Sequence, residues 1–157
     1  FGSMITPLTG NEMNFYDLLL PEDPGTVVMN GKEYAWNTWG EILNPPADAQ
    51  IWATYKNEFY EGSPAVTFRK LGKGTITYVG VDSHNGALEK DILKKLYAQL
   101  NIPVMDLPYG VTMEYRNGLG IVLNYSDQPY AFNLPKGAKA LIGTTNIPTA
   151  GVLVFSM

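Results

Sequence analysis

The sequence contains no cysteine, which excludes disulfide frameworks, thiolate metal sites and cysteine nucleophiles together. That absence leaves the compartment open, with a cytoplasmic setting favoured. Histidine is nearly as scarce: His84 is the only one in 157 residues. With one imidazole and no thiolate, neither a metal nor a cofactor is expected. Charged residues make up 17% of the chain, below the usual ~25%. Lysine and arginine occur in runs no longer than a pair such as Lys94-Lys95, and the net charge is -4. A nucleic-acid surface needs clustered cations to displace phosphate counterions, so no nucleic-acid partner is expected. No apolar stretch approaches the ~18 residues of a bilayer span, so no membrane association is expected either. The opening Phe1-Gly2-Ser3-Met4 has no positive or apolar region of a signal peptide. Residues 1–4 read as a cloning remnant and are left out of the fold argument.

What is present points to β structure. Sixteen glycines and eleven prolines supply turn signals, and ten tyrosines suit half-buried strands. Residues 5–25 read as a connecting segment with one helical turn. Asn30-Gly31 then separates two apolar-rich runs, the strongest short hairpin signal, because both turn residues must accept positive φ. Thr38-Trp39-Gly40-Glu41 has capping-box spacing, so a short helix is expected there, with Glu41 as the capping partner of Thr38 and Pro45-Pro46 as the stop. Strands are expected from Gln50 to Tyr55, Ala65 to Leu71 and Thr75 to Val81. Their short connections fit only antiparallel neighbours.

Residues 86–100 predict the one long helix, with Leu88, Ile92, Leu96 and Leu100 on one face. On its other face Asp91 and Lys95 form an i, i+4 pair of opposite sign. After Pro103, five short strand candidates follow, starting at Val111, Gly120, Tyr130, Ala138 and Val152. Evenly spaced short strands suggest a small antiparallel sandwich or barrel-like unit. The expected class is therefore α+β: a mainly antiparallel sheet with one long helix over residues 5–105, then a small antiparallel all-β domain over 106–157.

No chemistry stands out. Ser83, His84 and Asp82 are neighbours in one loop, and adjacent residues cannot chain through hydrogen bonds as a triad requires. Ser83 or Asn85 is better read as the cap of the helix. Gly72-Lys73-Gly74 lacks the spacing of a phosphate loop, with Thr67 where its first glycine should stand. Glycosidases need two facing carboxylates, but most of the fifteen acids here lie in turns or beside lysines. Asn124-Tyr125-Ser126 matches a glycosylation acceptor within or beside a strand. The aromatics Trp36, Trp39, Trp52, Tyr55, Phe59 and Tyr60 are concentrated in one stretch, available for core, interface or sugar contact. No catalytic, cofactor or metal residue is assigned.

A resemblance narrows the reading. Ala53-Thr54-Tyr55, then Phe59-Tyr60-Glu61-Gly62-Ser63-Pro64-Ala65-Val66-Thr67, Gly72-Lys73-Gly74 and Tyr78-Val79-Gly80 resemble, in that order, the trimerisation domain of family-42 β-galactosidases. Gly110-Val111, Arg116, Val122-Leu123-Asn124-Tyr125-Ser126, Asn133-Leu134-Pro135 and Gly151-Val152-Leu153-Val154 resemble that family's small C-terminal β domain. The resemblance covers about residues 26–157. It implies a catalytic barrel elsewhere in the parent, and only the C-terminal half of the α/β trimerisation domain here, with a truncated open sheet edge. The implied role is a non-catalytic assembly part of an enzyme that hydrolyses terminal β-galactosides. Its partners would be the parent's own barrel and further copies of itself, a trimer in the parent. Trp36, Trp39, Phe59 and Tyr60 are the candidate interface residues. The alternative is a carbohydrate-binding module using the Trp36–Tyr60 aromatic stretch.

Overall fold

The computed structural model describes residues 5–157; the expectation for residues 1–4 lies outside them. The chain divides into two compact units between Pro103 and Val104.

The first unit contains α1 (Thr6–Thr9), β1 (Glu12–Asp17), β2 (Gly25–Met29), β3 (Lys32–Asn44), β4 (Gln50–Lys56), β5 (Pro64–Leu71), β6 (Gly74–Val79), β7 (Val81–Ser83), a 3-10 turn (His84–Gly86) and α2 (Ala87–Gln99). Asn30 and Gly31 both take positive φ, 51° and 78°, as the β2–β3 hairpin requires. All the strand pairings are antiparallel, as the short connections predict.

These pairings run full circle. β3 pairs β2, β2 pairs β4, β4 pairs β5 and β5 pairs β6. The chain then continues through Gly80 into β7, which pairs β3 again. Gly80 bonds on both sides, donating to the Ala65 carbonyl at 2.9 Å and accepting from the Glu41 amide at 2.6 Å. Closure of this kind removes free edges. The truncated open sheet implied by the resemblance is therefore not what forms. The free side of β1 is the principal remaining edge, since β1 pairs only the outer half of β3, Gly40 to Asn44.

The expected helix at Thr38 is replaced by the middle of β3. Thr38 sits at φ 73°, at the bend where the β2 pairing ends and the β1 pairing begins. A helix confined between Thr38 and Pro45 would be too short to hold itself. Hydrogen bonds to β2, β7 and β1 are the stronger alternative for these β-prone residues. Gly40 is required here, because a Cβ would sit 2.7 Å from the Trp36 ring.

The helix α2 forms as its apolar spacing predicts and buries Leu88 and Ile92, with Leu96 partly buried. Leu100 is exposed, so the apolar stripe in use is shorter than the periodicity suggested. Asp91 faces the hairpin rather than Lys95, accepting from Lys32 at 2.6 Å and from the Tyr34 hydroxyl at 2.8 Å. Lys95 instead lies over the Trp52 ring, 3.9 Å from its centroid. Ser83, not Asn85, serves the helix start. Its hydroxyl accepts from the Leu88 amide at 3.0 Å, while Glu89 accepts the Ser83 amide at 3.1 Å and also the Ser83 hydroxyl. This is capping-box reciprocity stretched across the 3-10 turn, in which Asn85 takes φ 57°.

The second unit contains β8 (Val111–Arg116), β9 (Leu119–Asn124), β10 (Tyr130–Ala131), β11 (Lys139–Ile142), β12 (Asn146–Ile147) and β13 (Val152–Ser156). A four-stranded sheet runs β11-β13-β9-β8, beside a two-stranded β10-β12 ladder. Its core is Val111, Val122, Phe132, Ile147, Leu153 and Phe155. Asn124 is 1% exposed. Its amide nitrogen donates to the carbonyls of Gln128, Ile147 and Pro148 at 2.8, 3.1 and 3.1 Å, and its oxygen accepts from the amide and hydroxyl of Ser126. The glycosylation-like triplet is thus a buried polar tie, with the nitrogen that a glycan would need already engaged.

Candidate interaction surface and adjoining clefts

The four candidate interface residues fall into two classes. Trp36 is fully buried and Tyr60 nearly so, whereas Trp39 is half-buried and Phe59 is 87% exposed. They are linked by a ladder of ring contacts. Trp36 meets Tyr55 edge-on at 5.5 Å, Tyr55 meets Tyr60 at 5.1 Å and Tyr60 meets Phe59 at 4.9 Å. Phe59 then stacks on Phe15 of β1, with centroids 5.7 Å apart and planes 9° apart. The ladder therefore runs from the centre of the unit out to solvent, fixing where Phe59 sits.

Polar bonds lock its rungs. The Tyr60 hydroxyl donates to Asp17 at 2.7 Å, and Asp17 also accepts the Leu18 amide at 2.9 Å. The Tyr55 hydroxyl reaches the carbonyls of Glu41 at 3.0 Å and Gly80 at 3.3 Å. Both phenols are held well above the ordinary tyrosine value, by burial first and then, for Tyr60, by donating to Asp17. They remain neutral donors. This follows from placing a phenol where its anion would be both desolvated and close to a carboxylate.

A second pair extends the surface. Tyr16, next to Phe15 on β1, stacks on Trp39 with centroids 4.7 Å apart and planes 11° apart. Leu18 and Leu20 beyond β1 are exposed. Phe15 and Tyr16 were not singled out by the sequence, because nothing local announces that residues 15 and 16 reach residues 59 and 39. Only the β1–β3 register, Tyr16 opposite Glu41, brings them there.

Glu41 lies beside this surface. Its carboxylate accepts from the Tyr78 hydroxyl at 2.5 Å and from Trp39 Nε1 at 3.2 Å, in place of the helix-capping role expected of it. Burial, followed by the bond to Glu41, pushes the Tyr78 phenol up to about 12. Glu41 borders two clefts. One, about 330 Å³, is lined by Trp39, Glu41, Asp82 and Glu89 among others. Glu41 and Glu89 there each accept hydrogen bonds on both oxygens, which ties them to the ring closure and the helix start. The other, about 170 Å³, lies on the side of α1 and includes Asn11 and Tyr78. Among the described residues no cluster of three or more His, Cys, Asp or Glu could hold a metal, and no helix is long and apolar enough to cross a membrane.

Comparison with known proteins places this architecture. Residues 1–108 match the family described as the β-galactosidase trimerisation domain, and residues 110–157 match the β-galactosidase C-terminal domain. The first match reaches further toward the amino end than the motifs that begin near residue 26. The chain is 41% identical over 73 residues to β-galactosidase LacA of Lactobacillus acidophilus, covering 46% of this chain and 11% of that protein. It is 30% identical over 115 residues to β-galactosidase BgaB of Geobacillus sp., covering 70% of this chain and 17% of that protein. A crystal structure of a β-galactosidase from the haloarchaeon Halorubrum lacusprofundi shares the fold, with a TM-score of 0.82 at 24% identity over 99% of this chain and 24% of that one. The chain spans under a quarter of the length of each of these relatives. With both its units matched in order by domains of one enzyme line, the chain belongs to the family-42 β-galactosidases, as their trimerisation and C-terminal domains.

Proposed function

We propose that this chain is a non-catalytic assembly part of a β-galactosidase that hydrolyses terminal β-galactosides, with the catalytic barrel supplied by another part of the parent protein. In this reading the surface built from Phe59, Phe15, Trp39 and Tyr16 contacts further copies of the chain, three in the parent. The observation that carries it is the ring ladder. It holds an 87% exposed phenylalanine at a fixed position beside the free side of β1. A rigid aromatic at a sheet edge is a low-entropy anchor for a protein interface. Trp36 and Tyr60, used inside the fold, support that anchor.

The arrangement weighs against a sugar platform in the same stretch. Such a platform needs an open aromatic face, ideally several coplanar ones. Here Phe59 is stacked on Phe15 and perpendicular to Tyr60, while Trp39 is stacked on Tyr16.

Light scattering of the purified chain across a concentration series tests the reading. Self-association is expected, and Phe59→Ser together with Trp39→Ser should shift the chain to monomer while leaving its circular dichroism intact. A monomer at every concentration would overturn the assembly role. Turnover of an aryl galactoside by the pure chain would overturn the non-catalytic one.

A further inference from the structure

The smaller cleft beside Glu41 carries an inference independent of the assembly role. Its apolar walls include Ile5, Met13 and Leu43, and its polar side includes Asn11, Glu41 and Tyr78. Asn11 is only 6% exposed. Its amide nitrogen donates to the Thr67 hydroxyl at 2.8 Å, but its Oδ1 has no partner among the described residues. Exchanging the amide's oxygen and nitrogen moves the deficit to the nitrogen and does not remove it. A buried polar atom left in this state calls for an explanation, and a ligand is one.

The other polar groups show what such a ligand must bring. The Thr9 hydroxyl is engaged, donating to the Ile5 carbonyl and accepting the Asn11 amide, both at 3.2 Å. Each Glu41 oxygen accepts one hydrogen bond and can accept another. Tyr78 has given its proton to Glu41 and offers an oxygen lone pair. The cleft therefore presents acceptors at several points, and a ligand must supply several donors. Hydroxyl groups and ammonium groups both qualify. The guanidinium of Arg69 lies against Gly10, next to Asn11, and disfavours a cation there. Hydroxyls remain. At roughly 30 Å³ per water in the liquid, the volume of about 170 Å³ suits a molecule of monosaccharide size or smaller.

We propose that this cleft binds a small neutral polyol. Its hydroxyls donate to Asn11 Oδ1 and Glu41, and its C–H surface lies on Ile5, Met13 and Leu43.

The test is an NMR titration of the whole 157-residue chain with galactose, glucose and glycerol separately, and with putrescine as the cationic comparison. Saturable shifts are expected at the Asn11 side-chain amide and at the backbone amides of Glu41 and Leu43, with at least one of the three polyols and not with putrescine. Asn11→Ala should weaken that binding about tenfold, the loss of one good hydrogen bond. Tyr78→Phe, which keeps Glu41 in place, serves if Asn11→Ala does not fold. Intermolecular contacts from polyol C–H protons to the Ile5, Met13 and Leu43 methyls in the unmutated chain need no variant. Absence of saturable shifts with all three polyols overturns the proposal. So does binding of putrescine alone, or binding that leaves the cleft residues unshifted.

Discussion

The two units meet the same problem of burying enough surface with different means. The first wraps its sheet into a ring around fifteen described buried residues, six of them aromatic. The second has six buried core residues, and small domains bury a smaller fraction of their surface. It compensates with Asn124, which ties β9 to three backbone carbonyls and to Ser126. A larger unit can lean on apolar burial alone at its centre, whereas the small one depends on a satisfied polar network.

That contrast is open to direct attack, because Trp36, Trp39 and Trp52 all lie in the first unit. Tryptophan fluorescence therefore follows the first unit, and methyl resonances of Ile147 and Leu153 follow the second. The largest effect is expected for Trp36→Ala, a cost of about 3–5 kcal/mol, seen as a shifted fluorescence transition in denaturant with the methyl signals of the second unit unchanged. Joint loss of both signals would show that the units are one cooperative body. Next, Asn124→Ala should destabilise the second unit by about 1–3 kcal/mol, because several buried groups lose their partner. Its methyl resonances should broaden while the fluorescence midpoint stays in place. A neutral outcome would mean that apolar burial suffices in the small unit too.

Smaller effects sharpen the picture of the first unit. Lys95→Ala should cost about 0.5–1 kcal/mol through the lost contact with the Trp52 ring, measured as a fluorescence midpoint shift. The pH profile should carry the weakest signal. The Tyr78 phenol rises from 10.0 to about 12 in the fold, through burial and then its bond to Glu41. A raised folded value stabilises the fold fully below pH 10 and loses that contribution as the pH climbs toward 12. Tyr78→Phe should flatten that part of the alkaline unfolding curve. At the acid end, the hydrogen bond from Lys32, then that from Tyr34, holds the Asp91 carboxyl below its ordinary 3.8. Its contribution is present above 3.8 and fades as the pH falls below it. Asp91→Asn should remove this acid-limb slope, with urea midpoints against pH as the measurement.

Much of the scaffold was legible in sequence, for identifiable reasons. The Asn30-Gly31 turn, the strands from Gln50 to Val81 and the helix from Ala87 are written in local chemistry: positive-φ turn residues, short connections and an apolar stripe. What was missed depends on distant partners. Glu12 to Asp17 carries no clear alternation, and it is a strand because Gly40 to Asn44 pairs with it. Thr38 to Glu41 has the letters of a helix start, yet three neighbouring strands decide its backbone. The candidate surface was half readable. Phe59 and Trp39 stand out as aromatics, while their partners Phe15 and Tyr16 are set by register alone. Asn11 gave no signal, since an unpaired oxygen in a cleft is visible only once Thr67 and α1 are in place.

The full circle of strand pairings also sets an order of events during synthesis. A ribosome delivers β1 to β6 before Val81 to Ser83, so the middle of β3 waits for a partner that emerges some forty residues later. Contacts so far apart in sequence form slowly and reward the chain late. The first unit therefore cannot complete itself until β7 has cleared the exit tunnel, and a nascent chain stalled before that point would display the centre of β3 to any passing strand.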